Sequence, residues 1–375
     1  MPGDALASGK GRRPRVLFLC RFIPDPDGNG LEKRLFSFLL AYSTFADVEL
    51  FHEEIPARGA PGVPAATAEI CAATTSCTLH KLLDPADPHF ATFQASLAVA
   101  DVVHTKLPWL IKRIDHPNIV WDIDEVPHHF RVRSGLLAPF YRRTRKFRNY
   151  RAISDQVTAT IACSNVECRI MGGDCTVIPN VVPDPGLIQT RETEAEGPVF
   201  LFVGAMGHYP NYHGIHRFVG SIWPHLRASH PTARLQVVGR LPPHPVQRAG
   251  IEALSRVSGL DYAPNVPTVT PYYQADTVVI APIWKGAGTR VKIIEAFAHG
   301  APVVSTVKGA EGLEVTDKKE LIIAKSSRGL LAACRDLADD PAARQRLGAA
   351  GRRFFEQNHM QATVTENLKA LVQVR

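Results

Sequence analysis

The most constraining feature of this chain is a pattern that occurs twice. Val16-Leu-Phe-Leu-Cys20 is an apolar run of strand length, closed by a loop containing Pro24, Pro26, Gly28 and Gly30, after which 31–40 resumes with helical spacing. Val199-Phe-Leu-Phe-Val203 is a second such run, closed by Gly204 and followed by a helical pattern over 214–226. A continuously apolar strand needs cover on both faces, and strands alternating with helices obtain it as a parallel sheet between helical layers. Further strands are expected at 48–51, 99–103, 119–121 and 160–163, then at 234–238, 277–280, 302–305 and 320–323. The expected fold is α/β, with two Rossmann-like doubly wound domains facing a cleft at the C-terminal ends of their strands. The boundaries read as a disordered tail over 1–14, a first domain over 15–185 and a Pro/Gly/Glu/Thr-rich linker over 186–198. A second domain follows over 199–355, and a C-terminal helix over 356–375 crosses back to the first domain.

At 375 residues, with 45% hydrophobic and 21% charged residues, the chain has the composition of an ordinary globular protein. No apolar run reaches the ~20 residues that a membrane span requires. Seven cysteines without CxxC pairs suit reduced core thiols in a cytoplasm. The formal net charge of +7 is compatible with nucleic acid, anionic lipid or phosphorylated small molecules and does not choose among them.

The segment Ala281 to Gly300 carries most of the chemistry. It leaves a strand, loops through Gly286 and Gly288, and starts a helix for which Thr289 is the expected N-cap. Val291, Ile294 and Ala298 form a stripe that should pack on the sheet. Arg290 and Lys292 then crowd the positive end of the helix dipole, an unfavourable placement unless an anion docks there. Glycine amides, the helix end and the two cations together would suit a diphosphate, with Glu295 accepting from ribose or sugar hydroxyls. By itself this helix reads more readily as a solvated one with a Lys292–Glu295 pair at i, i+3.

The flanking segments favour the first reading. Phe202 to Asn211, Leu235 to Arg240, Gly288 to Ala296 and Val303 to Leu313 resemble, in order and spacing, the donor half of glycosyltransferase family 4. The resemblance covers most of 199–325 and is looser over 15–183, where Val16 to Arg34 and Val177-Ile-Pro-Asn180 are similar to the family's opening strand and loop and its IPN stretch. It implies the GT-B fold, retention of anomeric configuration and a nucleotide diphosphate sugar as donor, with no further cofactor and no metal. Donor contacts are implied at Gly30, Gly204, His208, Asn211, Gly239, Arg240, Val266, Gly286, Gly288, Thr289, Glu295 and Glu311, with Arg290 and Lys292 stabilising the leaving diphosphate. The family's two glutamates around seven intervening residues fall here on Ala287 and Glu295, so the first carboxylate is missing.

In the first half, His104 and Lys106 lie at a strand end and point to one side, which makes them candidates beside the reacting sugar; a lone histidine is also commonly structural. Arg34 is a candidate grip on the acceptor. Asp122-Ile-Asp124 has the form of a metal-binding pair, although a polar acceptor contact or a helix cap suits its position better. From Phe130 to Arg151 basic and aromatic residues alternate, among them Arg142, Arg143, Arg145 and Lys146, in a pattern compatible with an anionic membrane surface, a lipid-linked acceptor, RNA or a solvated face. The expected partners are a nucleotide sugar, a saccharide or lipid-linked acceptor and an anionic membrane surface, without nucleic acid. The expected place is the cytoplasm or its membrane face, and the expected role is polysaccharide or glycoconjugate assembly. Rival readings are a nucleotide-sugar epimerase or phosphorylase on the same scaffold, and a non-catalytic carbohydrate or nucleic-acid binder.

Overall fold

The computed structural model describes residues 12–53, 63–123, 145–172, 175–186, 197–274, 277–286 and 288–373. Two parallel sheets organise them. The first has the order β3-β2-β1-β4-β5-β6-β7, from β1 (Arg15–Cys20), β2 (Asp47–Glu53), β3 (Ala73–Cys77), β4 (Val102–Thr105), β5 (Ile119–Ile123), β6 (Ala159–Ala162) and β7 (Thr176–Val177). The second has the order β10-β9-β8-β11-β12-β13, from β8 (Val199–Val203), β9 (Arg234–Gly239), β10 (Leu260–Pro264), β11 (Thr277–Ala281), β12 (Val303–Thr306) and β13 (Ile322–Ala324). In each sheet the first strand in sequence lies inside, and the order reverses beside it. This is the switch point at which doubly wound sheets open a crevice.

The central strands are apolar because both their faces are covered. β1, β8 and β11 are buried almost throughout, and each sheet lies between two apolar clusters. Two edge strands, β3 and β10, carry no such signal. β3 reads Ala-Thr-Thr-Ser-Cys with only Cys77 buried, and β10 ends in Asp-Tyr-Ala-Pro with no buried position after Leu260, so neither apolar runs nor alternation marks them. Val99 closes the Phe90–Val99 helix instead of opening a strand; β4 starts three residues later, at Val102.

The chain passes between the cores twice, at neighbouring places. Val181 packs in the first domain's core and Val182 in the second's. On the return, Phe355 still belongs to the second core, whereas Val364 and Leu368 of the Gln361–Gln373 helix are buried in the first, against the Gly30–Ser43 helix. His359, between them, meets the Asn180 carbonyl oxygen through Nδ1 at 2.7 Å.

Two sequence expectations change. Arg12 and Arg13, assigned to the tail, are held by Asp101 and Asp47. Cys168 and Cys175, expected as thiols, form a disulfide, while Cys20, Cys77 and Cys334 are buried thiols. Asp124, Arg131, Arg133, Arg142, Arg143 and linker residues 187–196 lie outside the described residues, and Arg145 and Lys146 are described only as backbone of the Arg145–Ser154 helix. No helix among the described residues is long and apolar enough to cross a membrane.

Candidate active site

The facing strand ends enclose a cleft of about 1610 Å³. A site for one small molecule usually occupies ~300 to 1,000 Å³, so this cleft has room for two reactants.

Its C-terminal wall starts from a close backbone approach. At Gly239 a Cβ would stand 1.9 Å from the Gly204 carbonyl oxygen, so the crossing of the ends of β8 and β9 admits only glycine there. Gly204 is tight as well, because a Cβ on it would lie 2.8 Å from Lys292 Nζ. The Tyr209–Ser221 helix, with His208 at its N-cap, presents Asn211. Asn211 donates to the Ala205 carbonyl oxygen at 3.0 Å and accepts from Lys292 Nζ at 2.8 Å, while the ammonium sits 4.0 Å from the centre of the Phe202 ring. Burial and the neighbouring Arg290 guanidinium lower the Lys292 ammonium to about 7, partly countered by Glu295. Burial, Lys292 and Arg290 also lower His208. Two basic side chains and an imidazole thus line one patch of wall.

The Val291–Ala298 helix begins one residue later than expected. Arg290 is its N-cap, with no side-chain cap, and Thr289 instead accepts from Asn180 Nδ2 at 2.6 Å. The i, i+3 pair does not form: Lys292 goes to Asn211, and Glu295 accepts from Lys33 of the opposite domain at 2.8 Å. Beneath Glu295, Tyr273 stacks on His299 at 4.0 Å with the rings 11° apart. Burial and the Glu295 charge raise the Tyr273 phenol well above its ordinary value, and burial lowers His299 to about 4.

Gly30, Gly204, His208, Asn211, Gly239, Arg240, Val266, Gly288, Thr289, Arg290, Lys292 and Glu295 all line the cleft, so the structure brings together most of the residues expected there. Gly286 and Glu311 do not: Gly286 lies behind, against Pro210 and Arg290, and Glu311 is held by Lys308 at 2.7 Å. Ala287 lies outside the described residues.

The N-terminal wall corrects the first-half candidates. His104 is fully buried, packed face to face on Phe18 at 4.6 Å and hydrogen-bonded to the Tyr42 hydroxyl at 3.1 Å; burial lowers it to about 3. It is a core histidine behind the wall. Arg34 is equally buried. It bonds Asp122 at 2.8 Å, the Ile178 carbonyl oxygen at 2.8 Å and Asn180 Oδ1 at 2.9 Å, so it grips no acceptor. Burial would raise Asp122, but Arg34 and then Lys106, 3.9 Å away, hold it below its ordinary value. That arrangement places Asp122 in a buried ionic cluster with Arg34, with Lys106 partly exposed beside it, and neither Asp122 nor Lys106 lines the cleft.

Two residues absent from the sequence candidates belong to the site. Lys33 lines the cleft where Arg34 was expected, and Asn180 joins Arg34, Thr289 and His359. The sequence did hold a signal for Arg34. It lies one helical repeat before Phe38 on the buried stripe that continues to Tyr42, and its guanidinium stands 4.6 Å from the centre of the Phe38 ring.

Comparison with known proteins fits this geometry. Residues 197–340 match the family model described as Glycosyl transferases group 1. Sucrose-phosphate synthase from Thermosynechococcus elongatus superposes with a TM-score of 0.73 at 17% identity, covering 96% of this chain and 99% of that one. Anabaena HepE, solved with UDP-glucose, gives 0.68 at 14% identity over 96% and 100%. WaaG, a glycosyltransferase involved in lipopolysaccharide biosynthesis, gives 0.63 at 15% identity over 95% and 99%. No curated protein sequence matches the chain. The chain therefore has the GT-B fold, and residues 197–340 are similar to the glycosyl transferases group 1 model.

Proposed function

We propose that this protein transfers a sugar from a nucleoside diphosphate to a hydroxyl of a saccharide or lipid-linked acceptor, with retention at the anomeric carbon and without a metal ion. The observation that carries this reading is the patch formed by Arg290, Lys292 and Asn211 against the Gly204–Gly239 backbone crossing. As the anomeric C–O bond breaks, its electron pair stays on the diphosphate, and cations already fixed at that point stabilise the charge without reorganising. Glu295 accepts from the ribose hydroxyls, and the base lies along Gly239, Arg240 and Val266. HepE, solved with UDP and with UDP-glucose, supports a uridine diphosphate sugar as the first donor to test. A role in polysaccharide or glycoconjugate assembly belongs to the same reading.

Titration calorimetry with UDP and UDP-glucose tests it. Arg290→Ala and Lys292→Ala should each weaken binding by about 10- to 100-fold, the worth of a charge-assisted contact. Unchanged binding in both variants overturns the assignment.

A further inference from the structure

Three consecutive residues at the start of the Gly30–Ser43 helix reach three different points of the opposite domain. Asn29 caps this helix and Glu32 completes the capping box through the Asn29 amide at 2.7 Å, which fixes the first turn. Glu32 then stands 3.6 Å from Arg240, whose guanidinium also donates to the Asp27 carbonyl oxygen at 3.3 Å. Arg34 reaches Thr289 through Asn180. Between them Lys33 points into the cleft and donates to Glu295 at 2.8 Å, with both side chains less than one-fifth exposed. The turn itself touches the other domain, since a Cβ on Gly30 would lie 3.1 Å from Val291 Cγ2.

We infer that Lys33 is a positioning residue for the donor, acting through Glu295 from the opposite wall; the inference rests on the donor reading above. Lys33 holds one carboxylate oxygen, which fixes the orientation of the other toward the ribose hydroxyls. Parting the domains removes that ammonium, so Glu295 is fully set only when the cleft is shut. Donor binding and domain closure then favour each other, as any two events sharing one contact must.

A double-mutant cycle tests this, with donor KM, kcat and UDP affinity measured for Lys33→Met, Lys33→Arg, Glu295→Gln and the Lys33→Met/Glu295→Gln pair. Lys33→Met should raise donor KM about tenfold while kcat at saturating donor stays within about threefold, as loss of one charge-assisted hydrogen bond predicts. Lys33→Arg should restore most of that loss. In the Glu295→Gln background Lys33→Met should have no further effect, because its partner is already gone. An additive loss in the pair, or no loss in the single variant, overturns the role of Lys33. If Glu295→Gln alone leaves UDP affinity intact, the donor reading itself fails, and this outcome is distinct from the other two. Unfolding midpoints without donor should agree among the variants; a fall confined to Lys33→Met and not restored by Lys33→Arg would make the residue merely structural and would also overturn the inference.

Discussion

On the C-terminal wall Arg290 and Lys292 face a void, and burial has lowered the lysine to about 7. On the N-terminal wall Arg34 and Asp122 face each other at 2.8 Å with no exposed side-chain surface, and Lys106 stands by at 3.9 Å. The sheets behind both walls have the same strand order, yet one wall presents its cations to a cleft and the other buries them in an ion pair. A cation at a cleft surface is a binding device; charge saturated within a core is a structural one. Sequence position at a strand end does not distinguish them. What distinguishes them is whether the charged group lines the cleft or is enclosed with its counter-ion.

The largest effect expected from this contrast lies on the N-terminal wall. Arg34→Met should cost about 3 to 5 kcal/mol in urea unfolding, because it strands a buried carboxylate. The pair Arg34→Met/Asp122→Leu should recover much of that loss, since hydrophobic replacement of both partners removes the uncompensated charge. If Arg34→Met instead left stability intact and removed donor or acceptor binding, the contrast between the walls would collapse.

A smaller effect concerns pH on the C-terminal wall. Arg290, His208 and Glu295 face the Lys292 ammonium, and Asn211 bonds it. A diphosphate selects the protonated lysine. Below about pH 7 the site is already charged, and above it each bound donor must draw a proton from solvent. Donor affinity should therefore fall as pH rises from about 7 to 9, by at most about tenfold per unit. Calorimetry in buffers of different ionisation enthalpy should reveal the proton uptake, and Lys292→Arg should flatten the slope. A pH-independent affinity would mean that Lys292 is charged before the donor arrives.

The smallest effect should come from His104. His104→Leu removes the hydrogen-bond partner of the Tyr42 hydroxyl and should lower stability by about 1 to 2 kcal/mol while turnover stays within about threefold. A loss of turnover without loss of stability would return His104 to the reacting centre.

The C-terminal half was legible because its signals are local. Val199–Val203 announces a strand by composition, glycines mark the backbone crossing, and Arg290, Lys292 and Glu295 fall within one short segment. The N-terminal half was not legible in this way, because its ionisable residues are neutralised by partners distant in sequence. Asp122 cannot be recognised as the counter-ion of Arg34 until β5 is laid beside the Gly30–Ser43 helix, nor Lys33 as the partner of Glu295 until the domains meet. Helical phase could have demoted Arg34 through Phe38, but it gave no reason to promote Lys33. The edge strands β3 and β10 were missed because exposed Thr, Ser and Asp carry neither an apolar run nor alternation.

The double crossing at Asn180 and His359 has a mechanical consequence. Two chain passages fastened side by side form a fulcrum, and the cheapest rigid-body motion is rotation about the line through them. Displacement is least at that line and grows with lever arm, so Lys33–Glu295 and Arg240–Glu32 would separate while Asn180 and His359 stay in register. Swinging leaves, rather than independently drifting lobes, are what such a joint permits.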